Sequence, residues 1–538
     1  LAARGFTLAR YNRTSLNPLN GGVHRGLDQV RRPPQFSPAL SNIRIRDGVL
    51  QKRPGSRAYA SGTLAGTIVS GFEYKQEAGT TQLIAVTGGA AGGNRKFYTS
   101  TAGGAWTDNT GAVTMVGTAL DPYDAAIAPN PTRIDNLYIS NGFNSIATQE
   151  ILKWDGTTLS NIAAAPGSAR TLCTFANRLC AGNIYDGTQI RGSRFAWSAD
   201  GDADTWSGAT YGEVDLVETP DPITKLLMLG SNLVIYKERS IFIGSETGIP
   251  ELPIRFSLRS RDVGAIAPFS VASAFDRHFF LSYDDVYEFD GAGFRPIGEP
   301  IRPDLRGINA SALRQVFSVL SPLNSEYWLF VPVGSSTVPS RAYVFNWAER
   351  HWTIWDLPQG ATCGFRAVTS GGPTWITVTG TWEDYASVSW DALDVVGAPT
   401  SILGMADLTT DEYTYLVPND NGAGISAYWE SKDEDMAGQI SQNGRPITGV
   451  DYKTLSRVTL RLRSSGATPT ISLGVSVDGG ATYSASVSGE APSSGGEINF
   501  DVWLTGTKFR IRIANSTASE QFPQVEEITL HYHVRGEK

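Results

Sequence analysis

Between Ile68 and Trp355 one short pattern returns six times, and this recurrence constrains the fold more than any other feature of the chain. The blocks Leu83-Ile84-Ala85-Val86, Leu137-Tyr138-Ile139-Ser140, Leu179-Cys180-Ala181-Gly182, Leu233-Val234-Ile235-Tyr236, Phe279-Phe280-Leu281-Ser282 and Tyr327-Trp328-Leu329-Phe330 begin 54, 42, 54, 46 and 48 residues apart. Most are followed by a partner run, often closed by Asp-Gly or an aromatic, such as Lys153-Trp154-Asp155-Gly156 or Tyr287-Glu288-Phe289-Asp290-Gly291. A degenerate repeat of about 40–50 residues, each unit a small antiparallel sheet, is the pattern of a β-propeller. A seventh unit is expected from Gly364 to Leu416, with Ile402-Leu403-Gly404-Met405 and Tyr413-Thr414-Tyr415-Leu416 as strands and an insertion from Trp375 to Asp391. The fold class expected is therefore all-β, a propeller of six or seven blades. Composition agrees: 57 Gly and 28 Pro imply many turns, and a charged fraction of 18% argues against a coiled coil. No window approaches the ~18 uninterrupted apolar residues of a membrane span, so no membrane insertion is expected.

The texture divides the chain into three. Residues 1–57 have no sustained period and are interrupted by Pro33-Pro34, Pro38 and Pro54, which reads as an extended N-terminal arm. Residues 58–424 carry the propeller. Residues 425–538 return to period-two alternation in Val458–Leu462, Ile471–Val475, Phe509–Ile513 and Ile528–Tyr532, the pattern of an antiparallel β-sandwich. The net charge of -8 hides an asymmetry, because residues 1–57 hold eleven cations and two anions. A basic arm on an acidic body points to phosphate, to an acidic protein surface, or to plain solvation. The candidate partner-binding cations are Arg31, Arg32, Arg44, Arg46, Lys52 and Arg53.

Motifs with possible chemistry are few. Ser476-Val477-Asp478-Gly479-Gly480-Ala481-Thr482-Tyr483 fits an Asp-box, in which Asp478 accepts backbone N–H groups and Gly480 supplies positive φ, a folding device. Asp200, Asp202 and Asp204 alternate as in a calcium loop, but Thr205 stands where Gly is needed and Tyr211 where Glu is needed, so they are read as turn caps. The five histidines are scattered without zinc spacing, and no nucleophile elbow or phosphate loop occurs. No catalytic residue, metal or cofactor is assigned from these motifs. A two-residue turn at Ala176-Asn177 sets Cys173 opposite Cys180 as a buried thiol pair.

Three stretches together resemble the tail nozzle, or packaged-DNA-stabilisation, proteins of short-tailed bacteriophages. They are Ser37–Gly48 leading to Lys52-Arg53-Pro54-Gly55; Phe195-Ala196-Trp197-Ser198 with Gly201, Asp202 and Trp206; and Thr381–Tyr385 with Ser389–Leu393. Asp290-Gly291 with Phe294 and Pro296-Ile297-Gly298 is a further shared phrase. The resemblance implies a structural virion protein made in the bacterial cytoplasm, and so a chain that is not an enzyme. It implies a homo-hexameric ring that continues the DNA channel below portal and adaptor and contacts tail fibre or needle proteins. Genomic double-stranded DNA would pass through without sequence-specific binding. The alternatives are a propeller glycoside hydrolase, suggested by the Asp-box, and a glycan-binding receptor-recognition module.

Overall fold

The computed structural model describes residues 11–535 except 29–31, 61–63, 76–80, 89–94, 102–103, 119–120, 143–150, 163–164, 358, 369–398, 415–417, 442–443, 465–467, 484 and 516–521. Two compact units result, one of residues 56–344 with 357–414, the other of residues 1–55, 345–356 and 415–538. The stretch expected as a separate arm thus shares a unit with the C-terminal strands.

The first unit is a propeller of seven sheets. Each begins with a strand that neighbours the first strand of the next sheet: Ile68–Tyr74, Asp124–Pro129, Ser168–Phe175, Ile223–Leu229, Ala272–Ala274, Phe317–Ser321 and Ala361–Val368. The last packs on the first, which closes the ring. The six repeated blocks fall on the second strands of blades one to six, with Ser282 alone one residue past its strand Arg277–Leu281, and Ile402–Met405 falls within that of blade seven, Pro399–Met405. These strands are buried on both faces, which is why they read as short continuous apolar runs. The expected insertion Trp375–Asp391 lies outside the described residues.

Blade seven is completed from the N-terminal side of the chain. The strand Gly55–Ala58 lies beside Thr410–Thr414. Within this unit Ser56 Oγ donates to Asp411 Oδ2 at 2.8 Å, Arg57 Nε to Glu412 Oε2 at 2.9 Å, and Tyr59 N to the Thr410 carbonyl at 2.8 Å. Ring closure by a sequence-distant strand converts the seventh blade into a clasp.

Successive blades are cemented by apolar side chains. Trp206 joins Tyr138, Leu172 and Leu179 between blades two and three. Trp197 joins Phe195, Leu226, Ile235 and Phe242 between blades three and four. The cross-strand neighbour of Trp197 is Gly212, where a Cβ would overlap the indole ring. Cys173 and Cys180 stand in register, with Ala176 and Asn177 both at positive φ in the turn between them. Both thiols are free and buried, and burial pushes the Cys173 thiol up to about 12.

The second unit is built on two antiparallel sheets. One runs Gly496–Gly506, Lys453–Leu462, Val525–Val534, Val49–Lys52 and Ile43–Arg46, with Asn12–Leu16 also on Val525–Val534. The other runs Leu40–Ser41, Tyr428–Glu430, Arg510–Asn515, Thr470–Ser476 and Ala485–Glu490. Their alternation buries Val458, Leu460, Ile471, Leu473, Ile511, Ile513, Ile528 and Leu530. The N-terminal stretch adds Leu16, Leu40, Ile43, Ile45, Val49 and Leu50 to the buried set. The stretch expected as an extended arm contains short strands that pair with the C-terminal ones, and Asp47-Gly48, both at positive φ, turn Ile43–Arg46 into Val49–Lys52.

Candidate functional site

A central cavity of about 360 Å³ is lined by residues of six of the seven blades, blade three contributing none. Many of its lining residues sit in or just before the first halves of the first, inner strands, where the chain enters each blade, and Thr337, Val338 and Pro339 come from a loop of blade six. Phe72, Phe269 and the buried Tyr123 are its aromatic lining residues, and Asp124, Lys225 and Arg314 supply charge.

Asp124 opens the inner strand of blade two and is buried at the start of its blade. Lys225 Nζ pairs with its Oδ1 at 2.6 Å, while Oδ2 accepts from Thr171 Oγ1 at 2.8 Å and from Leu172 N at 3.1 Å. Thr171 Oγ1 in turn accepts from Leu226 N at 2.9 Å. One carboxylate thereby ties blades two, three and four at their inner ends, which is how a charge this buried is stabilised. Lys225 Nζ also lies 5.2 Å above the Phe269 ring.

Beside the cavity stands a second charged group. Asp121 Oδ2 accepts from Thr118 N at 3.1 Å and Thr118 Oγ1 at 2.6 Å, and its Oδ1 faces Arg314 Nη1 at 3.6 Å and Arg170 Nη1 at 4.0 Å. Arg95, fully buried, donates to the carbonyls of Asp121 and Thr118. Burial lowers the pKa of Arg170, and the charge of Arg314 lowers it further, against the pull of Asp121. Three cations, Lys225, Arg170 and Arg314, thus face two carboxylates, while Arg95 holds the backbone beside them. Asp124 is the carboxylate among the described lining residues, and a pair of converging carboxyls, as glycoside hydrolysis uses, is not assembled there.

Sequence reasoning missed this group, because its members lie up to about two hundred residues apart. Their shared place at blade entrances is the signal that aligning the repeats would have exposed.

The residues singled out from the sequence fall elsewhere. Arg31 lies outside the described residues. Arg32, Arg44, Lys52 and Arg53 are buried, and Arg46 is half-buried and pairs with Asp47 at 3.8 Å. Arg53 donates through Nε to Asn42 Oδ1 at 2.9 Å and through its two terminal nitrogens to the Asp420 carboxylate. Arg32 donates to the Leu27 carbonyl at 2.8 Å, and burial lowers its pKa. The expectation that these cations form an exposed partner surface is corrected for the four buried ones: acceptors in their own unit receive two of them, as buried guanidinium groups require.

Trp197, Ser198, Gly201, Asp202 and Trp206 build the blade-three turn. Ser198 Oγ accepts from Leu179 N at 3.0 Å, Gly201 takes φ of 66°, and Trp206 Nε1 donates to the Ala203 carbonyl at 3.0 Å. Asp202 Oδ1 accepts from Asp204 N at 3.0 Å, and Asp204 receives Tyr138 Oη at 3.0 Å and Lys153 Nζ at 2.8 Å. Those carboxylates cap and tie rather than gather, and no metal-ligating group occurs among the described residues.

In the Asp-box, Asp478 accepts from Ser476 Oγ, Thr482 N and Thr482 Oγ1 at 2.6, 2.9 and 2.6 Å, and these bonds hold its pKa well below the usual carboxylate range. At Gly480 a Cβ would press on Arg510, whose guanidinium donates to Asp433 at 2.8 Å. The box is a lid over a buried ion pair.

No family model matches the chain, and no curated protein matches it. Among solved structures, it is similar to an exo-beta-1,3-galactanase from Phanerochaete chrysosporium with galactose, at 11% identity and a TM-score of 0.29, covering 89% of this chain and 100% of that one. A variant of that enzyme with beta-1,3-galactotriose follows at 11% identity and a TM-score of 0.28, with 89% and 100% covered. The expectation that the chain is not an enzyme is corrected here: the structures it resembles are glycoside hydrolases, so catalysis is not set aside. A likeness this loose transfers no site.

Proposed function

We propose that the chain is a structural protein of a short phage tail, a nozzle or hub that continues the DNA channel below portal and adaptor and helps retain and then release the genome. The observation that carries this reading is the use the fold makes of the phage-like phrases. Ser37–Gly48 and Lys52–Gly55 become short paired strands, and the Trp197 to Trp206 phrase becomes a blade turn with two inter-blade tryptophans. The Asp290-Gly291 phrase becomes a capped turn in which Ala292 N and Gly293 N donate to Asp290 Oδ1, and Phe289 stacks on Phe294 at 4.5 Å. Signature residues that build shape suit a component whose task is to hold shape. The third phrase, Thr381–Leu393, lies outside the described residues. In this reading the chain forms a homo-hexamer in the virion and meets the adaptor and the fibre or needle proteins. Mass spectrometry of purified virions and electron microscopy of particles made without the chain provide the test. It is expected in mature tails, and particles lacking it should lose their packaged DNA; absence from purified virions overturns the reading.

A second reading, recognition or cleavage of a polysaccharide, is favoured by the axial cavity. Its size and its mixture of rings and hydrogen-bonding groups suit a sugar residue. A glycan array and a fluorogenic glycoside panel test it.

A further inference from the structure

Resting on that second reading, we propose that the axial cavity takes an anionic sugar residue of the uronate class, with the sugar carboxylate on Arg314, which lines it, reinforced by the charge of Arg170 beside it, and a sugar hydroxyl on Gln315.

Three observations converge on this assignment. Arg314 and Arg170 approach the same Asp121 oxygen at 3.6 and 4.0 Å, both beyond hydrogen-bond distance, while the other oxygen is turned to Thr118. Their charges are balanced in part, yet neither guanidinium spends its N–H fork on Asp121, and a planar fork is the shape that receives a second carboxylate. Next in the chain, Gln315 lines the cavity, and its Oε1 is buried with no hydrogen-bond partner. A buried acceptor left in that state costs free energy unless a ligand hydroxyl donates to it. Finally, Phe72 and Phe269 are partly exposed rings that line the same space, against which the C–H face of a sugar ring can pack. An acid with no hydroxyls would leave Gln315 unserved, and a neutral sugar would leave the two arginines unserved. A phosphate would meet the arginines but none of the rings.

The test is isothermal titration calorimetry of the full chain with D-galacturonate, D-galactose, acetate and inorganic phosphate. Galacturonate is expected to bind saturably and at least about tenfold more tightly than galactose, with acetate and phosphate weaker still. Arg314→Gln should bring galacturonate to the level of galactose. The Arg314 side chain is half exposed, so this substitution should leave the melting temperature unchanged. Gln315→Leu should weaken both sugars alike. Galacturonate binding no tighter than galactose overturns the anionic assignment while sugar recognition survives. Absence of saturable binding by either sugar overturns both. Phosphate binding as tightly as galacturonate, or galacturonate binding unmoved by Arg314→Gln, also overturns the assignment.

Discussion

His278 shows how burial decides the behaviour of a single side chain. It has no exposed surface, its Nδ1 meets Tyr236 Oη at 2.9 Å, and its Nε2 meets the Met228 carbonyl at 2.8 Å. With Nε2 donating and Nδ1 accepting, the neutral ring is served at both ends, and burial pushes its pKa down to about 4. An unfolded histidine titrates near 6.5, so the folded state resists protonation that the unfolded chain accepts. Stability from this group is complete above the unfolded value and is lost as pH falls from about 6.5 toward 4, an effect of about 3 kcal/mol. The melting temperature should drop across that window, and the drop should be smaller in His278→Gln. An acid response identical in the variant would assign the loss to other groups. His351, buried in the other unit, is lowered to about 4 for the same reason, with the charge of Arg44 adding to burial, so the drop in His278→Gln should shrink without vanishing. Trp197 and Gly212 show the complementary case: a large ring and a residue with no side chain share one cross-strand position, and neither choice is intelligible alone.

At the scale of elements, the closing strand is the part on which the ring depends. Gly55–Ala58 joins a blade whose other strands lie more than three hundred residues later. Its buried anchor is the Ser56 hydroxyl on Asp411. Asp411→Ala leaves that hydroxyl without its acceptor and should cost about 1–3 kcal/mol. A lower melting temperature and faster proteolytic cutting near residue 60 are the expected readouts; a variant as stable and as resistant as the parent would show that the clasp contributes little. The element was hard to read from sequence for a physical reason. Strands of two to four residues such as Gly22–Val23, Leu40–Ser41 and Ile43–Arg46 are too short to establish a period. The Asp47-Gly48 turn between two apolar pairs was the one local sign, and it is a strong hairpin signal.

For the molecule as a whole, charge sets the expectation about DNA. Residues beyond 57 total -17 when the +9 of the first 57 is subtracted from the net -8. Four of the six candidate partner-binding cations of the arm are buried, so those four are not offered to a duplex. Fluorescence anisotropy should find duplex DNA binding in the micromolar range or weaker at physiological salt, with a shallow salt dependence. Tight binding abolished by changing Arg31, Arg32, Arg44 and Arg46 would overturn this and make the N-terminal stretch a DNA clamp.

What the sequence determined by itself is the repeating element. Pleat and strand spacing are local, so Leu83–Val86, Leu233–Tyr236 and Tyr327–Phe330 announced the second strand of each blade, and Ala176-Asn177 set the register of Cys173 against Cys180. Only the tertiary structure decided the rest. That seven blades close on one another, that Ser56 finds Asp411, that Arg53 finds Asp420, and that Arg170 and Arg314 meet at Asp121 all follow from contacts between residues far apart in the chain. No periodicity records such meetings, because charge is balanced in space and not along the sequence.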